Sequence, residues 1–198
     1  MIEEAQLERV ASGLAPVTPG WFVVNTADAA WVTNDDWSGG VCIFESDEFV
    51  LRGRPDLREY VKPNAGFTIR VVPPGRPADL YHAESVQEDF LILQGECTLL
   101  IEDEERHLRT WDFVHCPPMT AHTFVATEDG TCVILATGNR RDDLERIYPR
   151  SETALRHGAG SDVTTSEPKR HGSWEVRRPA NWAALPWAME RPAPGRNP

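Results

Sequence analysis

Cysteine is scarce in this chain and never spaced for chemistry. The four cysteines, Cys42, Cys97, Cys116 and Cys132, lie far apart and form no C-x-x-C pair. That excludes a zinc knuckle and a thioredoxin-like redox motif. They read instead as small buried hydrophobic residues in a reducing, cytoplasmic setting. Positive charge is also short, with 20 Lys and Arg against 31 Asp and Glu and a net charge of −11. Nucleic acid and anionic membrane are disfavoured as partners, because both need a basic face that displaces counterions. No basic segment resembling a helix-turn-helix is present. No apolar run approaches the length that spans a bilayer, and MIEEAQLERVASG lacks the basic-then-apolar order of a secretory signal. Neither a Ser-His-Asp set nor a phosphate-cradling glycine loop is visible, and no repeat of fixed period occurs.

What the chain has is a succession of short β-rich runs. From Gly66 they follow closely: 67–72 (FTIRVV), 79–84 (DLYHAE), 88–94 (EDFLILQ), 97–102 (CTLLIE), 112–116 (DFVHC), 121–126 (AHTFVA) and 131–138 (TCVILATG). Turn-forming segments separate them, among them PPGRP, QGE, CPPMT and TEDGT. This spacing predicts an antiparallel sandwich or barrel rather than a parallel α/β sheet. A length of 198 residues suits one domain with extensions, large enough to bury a core without disulfides.

The flanks carry weaker signals. Residues 1–20 form a polar lead-in, 21–25 (WFVVN) reads as a first strand, 31–36 (WVTNDD) as a turn region and 41–44 as a short strand. Residues 45–62 fit a helical turn or a loop equally well. The predicted organisation is a lead-in over 1–20, a barrel over 21–138 with its core at 66–138, and a C-terminal extension over 139–198. That extension could hold a short helix near 142–156 and is otherwise extended or disordered by composition. Trp174, Trp182 and Trp187 lie in it and are expected to rest against the barrel or a neighbouring subunit.

Residues able to do chemistry concentrate in two stretches. In the first, His82 and Glu84 are two apart on a strand and so face the same side, while Glu88 keeps their parity on the next strand. The second, W-DFVHC-P-P-M-TA-H, brings His122 at the start of another strand. Phe90, Ile92 and Phe124 share that parity and should wall a mostly apolar cavity, with Leu91, Leu93 and Val125 on the other face. His115 has the opposite parity and reads as a surface histidine. The acidic run EDEER reads as a solvated hairpin tip.

These two stretches resemble the paired motifs of the cupin superfamily. The first motif, G-x5-H-x-H-x3,4-E-x6-G, is matched at Gly75, His82, Glu88 and Gly95. The second, G-x5-P-x-G-x2-H-x3-N, is matched at Pro117 and His122, and one hairpin (ECTLLIEDEERHLRT) fills the interval. The chain departs from the pattern where six residues rather than five precede His82, where Glu84 replaces a histidine, where Trp111 and Met119 replace glycines, and where Ala126 replaces an asparagine.

The resemblance implies an all-β fold, a double-stranded β-helix or jelly-roll barrel with N- and C-terminal extensions. It implies one divalent metal ion (Mn, Fe, Ni or Zn) held by His82, Glu84, Glu88 and His122. The extra carboxylate of such a set is expected to disfavour an anionic substrate. A homodimer is implied too, with Trp21, Trp31, Trp174, Trp182 and Trp187 as contact residues. Function then reads as a metal-dependent enzyme acting on a small organic molecule, or alternatively as a non-catalytic binding or sensing protein built on the same barrel.

Overall fold

The computed structural model describes residues 2–10, 13–18, 20–29, 31–33, 40–43, 64–167 and 178–180. Its centre is a pair of antiparallel sheets facing one another across an apolar core. The larger is built on β5 (Ala65–Val72), β7 (Glu88–Gln94), β10 (Phe113–Cys116) and β12 (Cys132–Asn139), and continues through β4 (Gly40–Ile43), β3 (Trp31–Thr33) and β14 (Arg178–Ala180). Its order is β10-β7-β12-β5-β4-β3-β14. The opposing sheet has the order β11-β8-β9, from β8 (Glu96–Ile101), β9 (Glu104–Arg109) and β11 (His122–Ala126). This is the all-β, jelly-roll architecture expected from the sequence.

Period-two alternation decides which side chains enter the core. On β7, Phe90 and Ile92 are buried while Leu91 and Leu93 are half-buried on the opposite face. Phe90 and Ile92 join Val72, Val114, Cys116, Cys132 and Ile134 from the larger sheet and Cys97, Leu99, Phe124 and Ala126 from the smaller one in a single cluster. Burying each large apolar side chain contributes roughly 1.5–3 kcal/mol before entropy is counted. The three described free cysteines all fall within this cluster, so they act as apolar filling. Burial pushes the Cys116 thiol up to about 12, which makes it inert.

The turn between β8 and β9 is a two-residue hairpin, with Glu102 and Asp103 at φ 49° and 64° and Ile101 in register with Glu104. Two left-handed residues in succession are the signature of a type I′ turn, whose twist matches that of the flanking strands. Only the first two residues of EDEER form the tip. The rest begin the exposed strand β9, whose charged sequence carries no alternation.

Two expectations for the N-terminal part are corrected. Residues 21–25 make no strand, since Trp21 has a single bridge to Glu4 while Trp21 and Val23 stay exposed. The strand position beside β4 is taken by Trp31–Thr33, placed among the turn residues by sequence. Tertiary packing overrides local preference here: Trp31 is wholly buried against Ala29, Val71 and Val133. The lead-in also contains a hairpin, β1 (Leu7–Val10) with β2 (Gly13–Pro16), which bridges to Ala29 through Leu14.

After β12 the chain crosses back over the barrel. β13 (Arg146–Ile147) pairs with β6 (Ala83–Glu84), and a one-turn helix, α1 (Glu152–Arg156), follows. Ser151 caps α1 by accepting a hydrogen bond from the Ala154 N–H, with Glu152 in its first turn and Arg156 in its last. Ala154 is buried with Tyr81, Leu100 and Val125, which anchors this segment on the smaller sheet. The helix is much shorter than the 142–156 window, because Arg146 and Ile147 are extended. Trp174, Trp182 and Trp187 lie outside the described residues, as does the undecided stretch 45–62. No described helix is long and apolar enough to cross a membrane.

Candidate metal centre

His82 and His122 meet because their backbones pair. The His122 N–H donates to the His82 carbonyl at 2.8 Å, and the His82 N–H returns a bond to the His122 carbonyl at 3.2 Å. This bridge ties the segment before β6 to the first residue of β11. The imidazole centroids lie 5.3 Å apart, and both residues are buried. Glu88, the first residue of β7, completes a group whose ligand atoms all lie within 4.8 Å of one another.

Each imidazole is held in one tautomer from behind. His82 Nδ1 lies 2.6 Å from the Leu80 carbonyl, and His122 Nδ1 lies 3.0 Å from the Thr120 carbonyl. A carbonyl can only accept, so its proximity assigns the proton to Nδ1 and leaves the Nε2 lone pair available. Those Nε2 atoms face carboxylates, His122 to Glu88 Oε2 at 3.6 Å and His82 to Glu84 Oε1 at 3.8 Å.

Burial sets the charge state. It drives the His122 imidazole down to about 4, helped by the adjacent His82, and it lowers His82 as well. Both histidines are therefore neutral near pH 7, the form that binds a metal. Burial also pushes the Glu88 carboxyl up to about 7, with the charge on Glu84 adding to the effect.

Glu84, expected beside these three as a fourth ligand, is engaged elsewhere. Its Oε1 accepts from Arg146 Nε at 2.7 Å and also from Arg146 Nη2. It is almost fully buried, so its charge needs a partner, and β13 brings that partner alongside β6. Arg146 gave no signal in the sequence, because nothing local connects it with a residue 62 positions earlier.

The group opens into a cavity of about 340 Å³. Phe90 and Phe124 line it, as expected from parity, with their rings 4.7 Å apart. Ile92 does not. It lies four residues beyond Glu88 on β7, about 13 Å at strand rise, where the core cluster fills the interior and leaves it wholly buried. Arg70 and Asp79, joined by a 3.2 Å ion pair, also line the wall. Burial opposes ionisation of Asp79, but Arg70, His82, Arg146 and the Leu80 N–H together hold its carboxyl below the usual carboxylate range. The signal for Arg70 lay in FTIRVV, where it shares parity with Thr68 rather than with the apolar Phe67, Ile69 and Val71. His115 is exposed and pairs with Asp89 at 2.6 Å, away from the cavity lining.

Residues 68–138 match the family model of the cupin domain. The chain carries a cupin domain. Solved structures similar to this chain include a sugar phosphate isomerase of the cupin superfamily from Silicibacter pomeroyi, 17% identical, covering 59% of this chain and 73% of that one at a TM-score of 0.46. Another is a cupin-2 domain protein from Rhodospirillum rubrum, 14% identical over 70% of this chain and 85% of that one, with a TM-score of 0.47. A proposed sugar phosphate isomerase from Acidithiobacillus ferrooxidans is 25% identical over 43% of this chain, at a TM-score of 0.39; the match spans 55% of its length. No curated protein matches the chain. Cupins often bind a metal, and the donor set here fits one: two neutral imidazoles with fixed tautomers and one carboxylate, converging on a shared point.

Proposed function

We propose that this cupin is a metal-dependent enzyme acting on a small organic molecule, with one divalent ion, Mn, Fe, Ni or Zn, held by His82, Glu88 and His122. The observation that supports it is the pair of Nδ1-to-carbonyl contacts, which aims both Nε2 lone pairs toward carboxylates inside one cavity. A bound ion would supply Lewis-acid polarisation of a substrate or water oxygen. The chain's own residues do the rest. Phe90 and Phe124 keep water from one wall. Arg146 fixes Glu84, whose charge remains next to His82 without occupying a ligand position. A cytoplasmic setting belongs to this proposal, supported by the free thiols of Cys97, Cys116 and Cys132.

The test is elemental analysis of the purified full-length protein by mass spectrometry after dialysis, followed by oxygen-consumption and small-molecule screens on metal-restored protein. Stoichiometric metal in the parent and its loss in His82→Ala and His122→Ala is the expected result. Retention by the double variant overturns the site. Metal-free protein that still binds a ligand, with no turnover after reloading, favours the non-catalytic alternative.

The assembly we propose is a homodimer, although Trp31 cannot contribute because it is wholly buried within its own chain, its Nε1–H donating to the Thr26 carbonyl. Among the described tryptophans suggested for the contact, Trp21 is exposed enough to reach a partner. Sedimentation at micromolar concentration should give a dimer, and a monomer refutes the assembly.

A further inference from the structure

The cavity wall carries more positive charge than the composition of the chain would suggest. Four arginines line it, Arg70, Arg140, Arg141 and Arg146, against three carboxylates, Asp79, Glu84 and Glu88. The chain as a whole has a net charge of −11. Arg146 is committed to Glu84 and Arg141 to Asp143. With Arg146 neutralising Glu84, the anion-repelling charge expected from that extra carboxylate is largely cancelled.

Arg70 is different. It sits on β5, which is paired on both sides, in register with Val41 of β4 and Ile134 of β12. Its neighbours Ile69 and Val71 pack on the outer face with Trp31, whereas Arg70 and Thr68 line the cavity. A cation on the inner face of a central strand is unfavourable unless something receives its charge. Among the described residues only its Nη1 finds acceptors, the Ala78 carbonyl at 3.1 Å and Asp79 Oδ2 at 3.2 Å. Nε and Nη2, the other edge of the guanidinium fork, have no hydrogen-bond partner among the described residues. That edge has the geometry that grips carboxylate or phosphate oxygens in pairs. The same cavity offers Phe90, Phe124, Ile134 and Leu144 as apolar wall for a carbon body.

The geometry points to a small organic anion as the ligand of this cavity, a carboxylate or phosphate on an apolar carbon body, with the anionic group received by Arg70. This rests on the reading of the cavity as the substrate site, and it names the substrate class. The structural alternative is that Arg70 exists to neutralise Asp79 and contributes nothing to recognition.

Isothermal titration of the metal-stripped, full-length protein separates the two, with benzoate and phenyl phosphate as anionic probes and benzamide as the neutral isostere. The expected result is saturable binding of at least one anion, about tenfold or more tighter than benzamide and weakened by salt. The tighter of the two anions names the group. Arg70→Gln should lose that preference and Arg70→Lys should retain part of it. Equal affinity for benzoate, phenyl phosphate and benzamide, or no binding of either anion at millimolar concentration, overturns the proposal on the parent protein alone, whether or not the variants fold. Folded Arg70→Gln with undiminished anion preference also overturns it. Because the titration uses metal-free protein, metal content reports separately: stoichiometric metal without anion preference sinks this inference only, and anion preference without metal sinks only the metal centre.

Discussion

Arg146 donates two hydrogen bonds to a single oxygen of Glu84, one of them from Nε at 2.7 Å, and so fastens the C-terminal crossing segment to the lip of the barrel cavity. Glu84 is 3% exposed, whereas the Arg146 side chain is 39% exposed. The two ends of the pair are therefore unequal. Losing the arginine strands a buried charge, whereas losing the carboxylate leaves a cation that can turn to solvent.

The first prediction follows from that asymmetry. Arg146→Met should destabilise the metal-free protein by about 3 kcal/mol, the low end for a broken buried pair. Zinc should then raise the melting temperature more in the variant than in the parent, because the released Glu84 oxygen lies near His82 and is free to join the ion. Calorimetric scans with and without zinc check both statements. An unchanged melting temperature would show that the pair contributes nothing.

A second prediction concerns Glu84→His, which restores the imidazole the family pattern carries at this position. Alone it puts Arg146 beside a neutral ring and adds a nitrogen ligand under the influence of a cation. Zinc affinity, measured by competition with a chromophoric chelator, should rise from parent to Glu84→His. It should rise again, by about tenfold, in Glu84→His with Arg146→Met, since the outer partner of a ligand tunes its affinity on that scale. No gain in the double variant would remove Arg146 from the account.

The third prediction is a pH profile for metal-free protein. His122 titrates near 4 when folded against 6.5 unfolded, so the unfolded chain binds the extra proton and this residue costs stability as pH falls through that window. Glu88 titrates near 7 folded against 4.5 unfolded, so the folded chain holds the extra proton and stability is lost as pH rises from 4.5 to 7. The two slopes oppose each other and nearly cancel. Glu88→Gln should expose the histidine slope, to which the lowered His82 adds in the same sense, giving a variant more stable than the parent at pH 7.5 that loses about 3 kcal/mol or more on going to pH 4. Parallel profiles for parent and variant would refute the cancellation.

A fourth prediction uses the backbone. Trp111 and Met119 adopt φ 75° and 67°, the left-handed region, at the two positions where the cupin pattern has glycine. Both are exposed, so neither side chain offsets the strain by burial. Their main-chain bonds, from the Trp111 N–H to Ile92 O and from the Met119 N–H to Glu84 O, survive substitution. Trp111→Gly and Met119→Gly should each stabilise the fold by about 1 kcal/mol in denaturant titrations. A loss of stability would mean that these side chains make contacts that outweigh the strain.

The barrel was legible wherever alternation was strong. The run EDFLILQ became β7 with the bounds read from sequence, because Phe90 and Ile92 had to go in and Leu91 and Leu93 alternate with them. Glu104–Arg109 lies in the expected hairpin, yet no apolar period marks it as a strand; it is fixed by main-chain pairing to β8. Trp31 was misplaced because its neighbours Thr33, Asn34 and Asp35 look like a turn, while the burial that fixes it comes from β5 and β12. In the site, strand parity brought His82, Glu88 and His122 to one cavity, but parity says nothing about competition for a carboxylate. Arg146 reaches Glu84 through a strand pairing between segments far apart in the chain, a relation that no local pattern encodes.

The mutual backbone pairing of His82 and His122 has one more consequence, for how an ion would come and go. In a zinc finger the metal assembles its own ligands, and stripping it dissolves the fold. Here the two imidazoles are joined by amide–carbonyl bonds that exist without any ion, and each ring is oriented by a carbonyl from its own loop. Chelation should therefore leave a folded, refillable shell, and replacing one ion by another would be an exchange at a rigid seat rather than a refolding event. Occupancy would then follow which ions are abundant when the protein is made, within the preferences of two nitrogens and an oxygen.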